Sequence, residues 1–276
     1  MNSERVAIAR IGRRMRGGSQ ARLVLGDDNH WYVAKFAGNP QGTRTLVNEW
    51  VAYQLLKQLG VSTPKLQILH LTEELRSEDL YFEVGASKTP PQGTIHLGSQ
   101  SPVDPETTSI FDFLPGKLLP KIVNLADFPA MFVFDQWVGQ TDARQAIFVR
   151  DRSVGVDAGF RAYFIDHAKS FDGAEWRIRD APRHGVYFRP EVYSQVDLNS
   201  LVENNLRLLE AITETSLRTA MDGVPSAWLA PGDRQSLAAL LDSLQRRQPQ
   251  MRSIVARHLA ALDLPNVTNR TLHARV

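Results

Sequence analysis

Cysteine is absent from the 276 residues of this chain, which excludes disulfides, thiolate metal sites and cysteine nucleophiles. The absence is compatible with a reducing compartment, and we expect a cytoplasmic protein. No apolar run approaches the roughly 20 residues that a membrane-spanning helix needs. The basic stretch over residues 1–20 also lacks the apolar core of a secretory signal, and its composition is typical of a short amphipathic basic segment.

The chain has little excess charge of either sign. Its formal net charge is +2, so there is no strong signal for a nucleic-acid or membrane partner. The signatures G-x-S-x-G and H-E-x-x-H of common hydrolases and the dinucleotide motif G-x-G-x-x-G are not found. Histidines are scattered, without the spacing of zinc ligands.

What the chain does contain is the composition of a globular protein, with 43% hydrophobic and 22% charged residues. Its length suits one large domain or two modest lobes. We place a boundary after "SIFDFLPG", which divides the chain into an N-terminal lobe, residues 1–116, and a C-terminal lobe, residues 117–276.

The predicted N-terminal lobe alternates strands with one helix. "ARLVLG" and "HWYVAKF" are short apolar runs around the turn signal "GDDN". "GTRTLVNEWVAYQLLKQLG" has one apolar helical face and ends in Gly60. "KLQILHL" and "DLYFEV" indicate two more strands. This order predicts an antiparallel sheet with one packed helix, followed by a polar loop over residues 87–108 whose role the sequence leaves open.

The predicted C-terminal lobe is mainly helical. "LADFPAMFVFDQWVG" is apolar on nearly all sides, which indicates a buried helix. "QAIFVR" and "RAYFIDH" indicate a β pair joined by the loop "DRSVGVDAG". Amphipathic helices follow from residue 198, and we expect the tail "PNVTNRTLHARV" to be frayed. The fold class is therefore α+β with two lobes.

The N-terminal half contains residues typical of a nucleotide clamp. A Gly-Gly-Ser turn precedes the hairpin, where Gly18, Ser19 and Gln20 can offer N–H groups and side-chain donors to phosphate oxygens. Lys35 lies in an otherwise apolar strand, and Glu49 lies in the helix expected to pack there. Together they suggest a phosphate-binding lysine held by a helix carboxylate. Taken singly, such residues more often form an ordinary turn, an outward-pointing lysine and a solvated glutamate.

The second half contributes two carboxylates. Asp142 follows the predicted buried helix and Asp166 ends an apolar strand. Each alone is compatible with a turn residue. A β pair between them would bring both to one sheet end, where one can accept a hydroxyl proton and the other can hold Mg²⁺ against phosphates. Gln145 can add a neutral oxygen ligand. The combination indicates phosphoryl transfer from ATP.

Four segments in this order resemble the HipA-like kinases, a bacterial branch of the protein-kinase-like fold. The segments are "GGSQARLVLGDDNHWYVAKF", "LVNEWVAYQLLKQLGVSTPKL", "FDQWVGQTDARQAIFVRD" and "AYFIDHAKSFDG". The resemblance spans about residues 16–193. It implies two lobes with ATP in the cleft between them.

The resemblance also implies a role for each candidate residue. Gly18, Ser19 and Gln20 would line the phosphate loop, and Lys35, oriented by Glu49, would hold the ATP phosphates. "IFDFLP" would be the hinge that contacts adenine, through Phe111, Asp112 and Phe113. Asp142 would be the catalytic base. Asp166 would hold Mg²⁺ with Gln145, in the position of the kinase D-F-G aspartate.

One position departs from the kinase pattern. Kinases place a metal-binding asparagine five residues after the base, where this chain has Ile147. Gln145 either replaces it with a longer arm or the second metal is lost. Three hypotheses follow: a serine/threonine protein kinase, a kinase of a small-molecule hydroxyl, and a nucleotide-binding pseudokinase that acts as an interaction module.

Overall fold

A computed structural model describes residues 5–76, 80–151 and 159–262. Most of the loop between the predicted β pair, residues 152–158, and the predicted frayed tail, residues 265–276, lie outside this range. Predictions about those two segments therefore stay predictions.

Five short strands in the first hundred residues form a closed barrel. Buried and less buried positions alternate along them, as expected for strands with one face in a core. The strand order around the barrel is β1-β2-β3-β7-β4. The five strands are β1 (Val6–Arg14), β2 (Arg22–Gly26), β3 (Trp31–Lys35), β4 (Leu66–His70) and β7 (Ile95–Gln100).

The predicted antiparallel sheet lacked strand β1. The N-terminal stretch expected as an amphipathic basic segment forms β1, which pairs antiparallel with β2 and parallel with β4. Val6 and Ile8 are buried while Arg10 is exposed. Because the outward positions of this strand carry arginines, the stretch reads as basic although its inward positions are apolar.

The predicted loop over residues 87–108 was also wrong. It contains β6 (Ser87–Thr89), which pairs with β5 (Phe82–Val84), and β7, which lies between β3 and β4 in the barrel. "DLYFEV" therefore forms a separate hairpin and not a strand of the main sheet. The apolar pattern of β7 is interrupted by His96, which is fully buried and accepts a hydrogen bond from Ala37 N at 3.1 Å.

Helix α1 (Arg44–Leu59) packs on the barrel where the sequence predicted it. Leu46, Val51 and Leu55 have no exposed surface. Gly60 ends the helix in the left-handed conformation, with φ 67°, which glycine adopts without steric cost.

The remaining chain combines a small sheet with helices. The sheet has the order β10-β9-β8. Its strands are β8 (Ile110–Phe111), β9 (Gln145–Asp151) and β10 (Gly159–Ile165). β9 and β10 form the predicted pair, and β8 is the short extended segment predicted at "SIFDFLPG". Because β8 pairs with β9, the sheet spans the predicted boundary at residues 116 and 117, and that boundary stays a prediction.

The predicted buried helix is α2 (Asp127–Val138), in which every residue from Phe128 to Val138 is buried. The other helices are α3 (Glu191–Ser194), α4 (Leu198–Glu210), α5 (Glu214–Asp222), α6 (Asp233–Arg247) and α7 (Met251–Ala261). Short 3-10 turns lie between several elements, including Gln248–Gln250 between α6 and α7. None of the helices within the described ranges is long and apolar enough to span a membrane.

A leucine pair on α4 tests this core. Leu206 has no exposed surface, whereas Leu208 on the same helix is 49% exposed. We expect Leu206→Ala to lower the free energy of unfolding by about 2–5 kcal/mol, because it removes buried methyl groups and leaves a cavity. Leu208→Ala is the matched control and should change it by less than about 0.5 kcal/mol. Urea unfolding measures both free energies. Equal effects of the two substitutions would contradict a helix α4 that buries Leu206 and exposes Leu208.

Candidate active site

The centre of the candidate site is the ammonium group of Lys35, which bridges two carboxylates. Its Nζ atom lies 2.5 Å from Glu49 Oε1 and 2.9 Å from Asp166 Oδ1. The side chains of Lys35 and Glu49 are 16% and 6% exposed, and that of Asp166 is 33% exposed. The cluster is therefore largely shielded from solvent and opens on the Asp166 side.

Three separate elements bring these groups together. Lys35 is the last residue of β3, Glu49 lies near the middle of α1, and Asp166 directly follows β10. The close approach that the sequence predicted for Lys35 and Glu49 is thus present. The sequence predicted that Lys35 and Asp166 meet around the ATP phosphates, and the structure adds a direct ion pair between them.

Burial and charge act in opposite directions on the cluster. Burial alone would raise the pKa of Asp166, but the Lys35 ammonium outweighs it and lowers that pKa to about 2. Burial likewise would lower the pKa of Lys35, and the two carboxylates raise it above its ordinary value. Burial raises the pKa of Glu49 in spite of the lysine. Lys35 and Asp166 are therefore charged at neutral pH.

Two glutamine side chains hold the second carboxylate oxygen and the carbonyl of Asp166. Gln145 Nε2 donates to the second carboxylate oxygen, Oδ2, at 3.1 Å, and Gln140 Nε2 donates to the Asp166 carbonyl at 3.1 Å. The backbone of Asp166 is left-handed, with φ 61°, which is uncommon for a residue with a side chain. Such a conformation persists where surrounding contacts hold it.

A buried arginine supplies further contacts. Arg144 forms a bidentate ion pair with Asp135 of α2, at 2.8 and 2.6 Å, and both side chains are almost fully buried. Its Nη1 atom also donates to the carbonyls of Ile165 at 2.8 Å and Asp166 at 3.2 Å. One guanidinium therefore joins the buried helix to the turn that carries Asp166.

Asp142 lies at the same sheet end as Asp166. Gln145 pairs with Ile165 in the β9–β10 register, so the residues just before β9 and just after β10 are neighbours, as the sequence predicted. The Asp142 side chain is exposed, and its carbonyl accepts a hydrogen bond from Gly185 N at 3.0 Å. The backbone of this loop is thus held while the carboxylate stays accessible.

The glycine turn precedes β2. Gln20 N donates to Gly17 O at 3.2 Å, which closes the turn, and Ser19 is buried. The side-chain amide of Gln20 is engaged by the β5 backbone, with Nε2 donating to Glu83 O at 2.7 Å and Oε1 accepting from Glu83 N at 2.8 Å. A Cβ atom on Gly18 would lie 3.0 Å from the Gln41 side chain. Gln20 therefore supports the turn through its side chain in this structure.

The segment predicted as the hinge begins in β8. Phe111 pairs with Phe148 of β9 and packs edge to face on Phe160 at 5.9 Å between ring centroids. Asp112 is exposed. Phe113 is 49% exposed and stacks on Phe188 at 6.5 Å. The chain leaves the barrel earlier, after β7, and residues 101–109 form the link to β8.

The residues present fit a metal ion that arrives with phosphates. Among the described residues, no group of three or more His, Asp or Glu side chains forms a preformed metal cage. Mg²⁺ is commonly bound through one or two carboxylates together with substrate phosphates. Asp166 offers an ionised carboxylate, and the Gln145 amide lies next to it, where Nε2 donates to Oδ2. Rotation of that amide would offer its oxygen as a neutral ligand. This donor set suits a nucleotide-borne magnesium ion.

Comparison with known proteins assigns the family. The family model of the HipA-like kinase matches residues 8–257 of this chain. The chain belongs to the HipA-like kinase family. The match confirms the resemblance recognised in the sequence and supports a kinase-like phosphotransferase. A search of curated proteins finds no significant match.

Solved structures similar to this HipA-like kinase are themselves kinases. The proinflammatory kinase CtkA of Helicobacter pylori has a TM-score of 0.53 at 15% identity, with 91% of this chain and 96% of that chain covered. This likeness shows a shared α+β fold.

Two structures of a Golgi casein kinase, one of them with Mn/ADP bound, have TM-scores of 0.49 and 0.48 at 12% identity. Each covers 94% of this chain and 74% of the other.

Sequence reasoning missed the buried polar residues around Asp166. Arg144, Asp135 and Gln140 were not predicted as part of the site. One signal was available, since Asp135 is a charged residue inside the apolar run "FPAMFVFDQWV", and buried charges are almost always paired. The identity of its partner could not be inferred from spacing.

We expect Arg144→Leu to lower the free energy of unfolding by about 3–5 kcal/mol, because it leaves the Asp135 charge buried without its partner. Adding Asp135→Leu should restore part of the loss, since no unpaired charge then remains. Arg161→Leu is the control, because Arg161 pairs with Asp151 at 2.9 Å but is 39% exposed, and it should cost less than about 1 kcal/mol. Chemical denaturation measures the free energy of unfolding of all three variants. A double variant that is less stable than Arg144→Leu alone would contradict an effect of the unpaired charge.

Proposed function

We propose that this HipA-like kinase transfers the γ-phosphoryl group of ATP, with Mg²⁺, to a serine or threonine hydroxyl of a protein. The observation that supports this most directly is the Lys35 ammonium held between Glu49 and Asp166. In phosphoryl transfer, a lysine fixed by a helix carboxylate and a metal-binding aspartate position the same phosphates.

Each side chain then has a distinct task. Lys35 binds phosphate oxygens, and Glu49 keeps its ammonium in place. Asp166 and Gln145 hold the metal, which neutralises charge on the phosphates when it is bound. The acceptor hydroxyl gives its proton to the Asp142 carboxylate as its oxygen attacks the γ-phosphorus, and ADP leaves with the electrons of the broken P–O bond.

The nucleotide's remaining contacts come from backbone groups. Gly18 and Ser19 lie in the turn before β2, where main-chain N–H groups can meet phosphate oxygens. Phe111, Asp112 and Phe113 keep their predicted role at the adenine. The link of residues 101–109 is a second candidate for that contact, because it continues directly from β7, which pairs with β3, the strand of Lys35.

The length of the Gln145 side chain bears on catalysis. Ile147 occupies the position of the usual asparagine, but Gln145 reaches the Asp166 carboxylate at 3.1 Å. The contact runs through Nε2, and its length supports the hypothesis that the longer amide can reach the place of the asparagine. A nucleotide-binding pseudokinase is the second candidate, because Ile147 at the asparagine position offers no metal ligand.

We expect ATP with Mg²⁺ to raise the melting temperature more than ATP alone, because a ligand that binds only the native state stabilises it by mass action, by about 2.7 kcal/mol at 100 times its dissociation constant. Asp166→Asn should remove the Mg²⁺-dependent part. Asp242→Asn is the matched control, since Asp242 is an exposed residue of α6. Thermal melting measures this, and an identical magnesium response in wild type and Asp166→Asn would contradict the metal assignment.

We expect Asp142→Asn to reduce phosphoryl transfer by about 10²- to 10⁴-fold, because the acceptor loses its general base, while the ATP-induced melting shift persists. Turnover of radiolabelled ATP with protein acceptors or small hydroxyl compounds measures the rate and separates the acceptor classes. Asp242→Asn again serves as the control. Wild-type protein that binds ATP with Mg²⁺ but transfers nothing would favour the pseudokinase, and an unchanged rate in Asp142→Asn would exclude Asp142 as the base.

A further inference from the structure

A fully buried asparagine of α1 contacts the segment that follows Asp166. Asn48 has no exposed surface, and its Nδ2 atom lies 2.8 Å from Ala168 O, 3.0 Å from Ser170 O and 2.8 Å from Gly173 O. Its Oδ1 atom accepts a hydrogen bond from Trp176 Nε1 at 2.8 Å. One side chain therefore ties together four points within nine residues of chain.

The segment that Asn48 holds has an unusual backbone. Asp166, Phe171, Asp172 and Trp176 have φ values of 61°, 61°, 59° and 50°. The left-handed region costs a residue with a side chain roughly 1–2 kcal/mol, so a segment with four such residues persists only where its surroundings fix it. The three carbonyl contacts of Asn48 are such a fixing interaction, since an unpaired buried carbonyl is itself costly.

These contacts bear directly on Asp166. Arg144 and Gln140 donate to the Asp166 carbonyl, and Arg144 also donates to the carbonyl of the preceding residue. Asn48 contacts the carbonyl of Ala168, two residues after Asp166. Asn48 also neighbours Glu49, so one turn of α1 orients both Lys35 and the segment after Asp166.

We propose that Asn48 is a positioning residue for the metal-bound nucleotide. It holds residues 168–173 so that the Asp166 carboxylate keeps the direction that metal binding requires. This inference rests on the proposed function, in which Asp166 is the metal ligand. Asn48 itself touches neither metal nor substrate and acts through the backbone of residues 168–173.

The test measures how the ATP-induced melting shift depends on Mg²⁺ concentration. In Asn48→Ala, we expect the Mg²⁺ concentration that gives half of the shift to rise about tenfold or more, the effect typical of losing a residue that orients a metal ligand. The shift with ATP alone should stay unchanged. Asn205→Ala is the matched control, because Asn205 is also buried and donates to one carbonyl, Leu201 O, within α4. Its Mg²⁺ dependence should equal that of wild type.

A milder substitution covers the case in which Asn48→Ala does not fold. Trp176→Phe keeps an aromatic ring beside Arg44, whose guanidinium lies 4.4 Å from the Trp176 ring centroid. It removes the hydrogen bond to Asn48 together with part of the buried indole. It should shift the Mg²⁺ dependence in the same direction by a smaller factor. Hydrogen exchange should show faster exchange at residues 166–176 in both variants, with or without nucleotide.

Two negative outcomes can be told apart. If wild-type protein shows no Mg²⁺-dependent shift with ATP, the proposed function fails and this inference fails with it. If wild type shows the shift and the folded Asn48 and Trp176 variants keep the wild-type Mg²⁺ dependence, the positioning role alone is wrong.

Discussion

The ammonium of Lys35 lies between two carboxylates from separate elements, Glu49 from α1 and Asp166 from the end of β10. With all three groups charged, the cluster would carry one more negative than positive charge. Burial raises the pKa of Glu49, the Lys35 ammonium opposes that rise and the Asp166 carboxylate adds to it. The two carboxylates can therefore lie this close together only because the lysine lies between them.

Around the Lys35 cluster, buried polar side chains fix loop backbone that has no apolar face to pack into the core. Asp135 extends from the buried helix α2 to Arg144, and Asn48 extends from α1 to the segment after Asp166. Burying such groups costs free energy unless every one is paired. Asp135, Arg144 and Asn48 all have such partners, so these three residues help to specify one arrangement of the site.

The fold itself tolerates wide change in sequence. CtkA shares the fold at 15% identity, which is reasonable because a core accepts many apolar residues of suitable volume. A site made of charges has less freedom, since a displaced carboxylate or ammonium loses its partner at once. We therefore expect substitutions in the charged cluster to be less tolerated than substitutions in the apolar core.

Local pattern was enough for α1, α2 and the β9–β10 pair, because each buries a regular apolar face. It also indicated Lys35, Glu49 and the common sheet end of Asp142 and Asp166. The sequence could not reveal β7, where buried His96 and Gly98 interrupt the strand pattern, nor the parallel pairing of β1 with β4. The resemblance to HipA-like kinases placed Lys35 and Asp166 at the same phosphates, but only the structure shows their direct ion pair across 131 residues of chain. Contacts between distant segments depend on how the elements pack and leave no periodic signal along the chain.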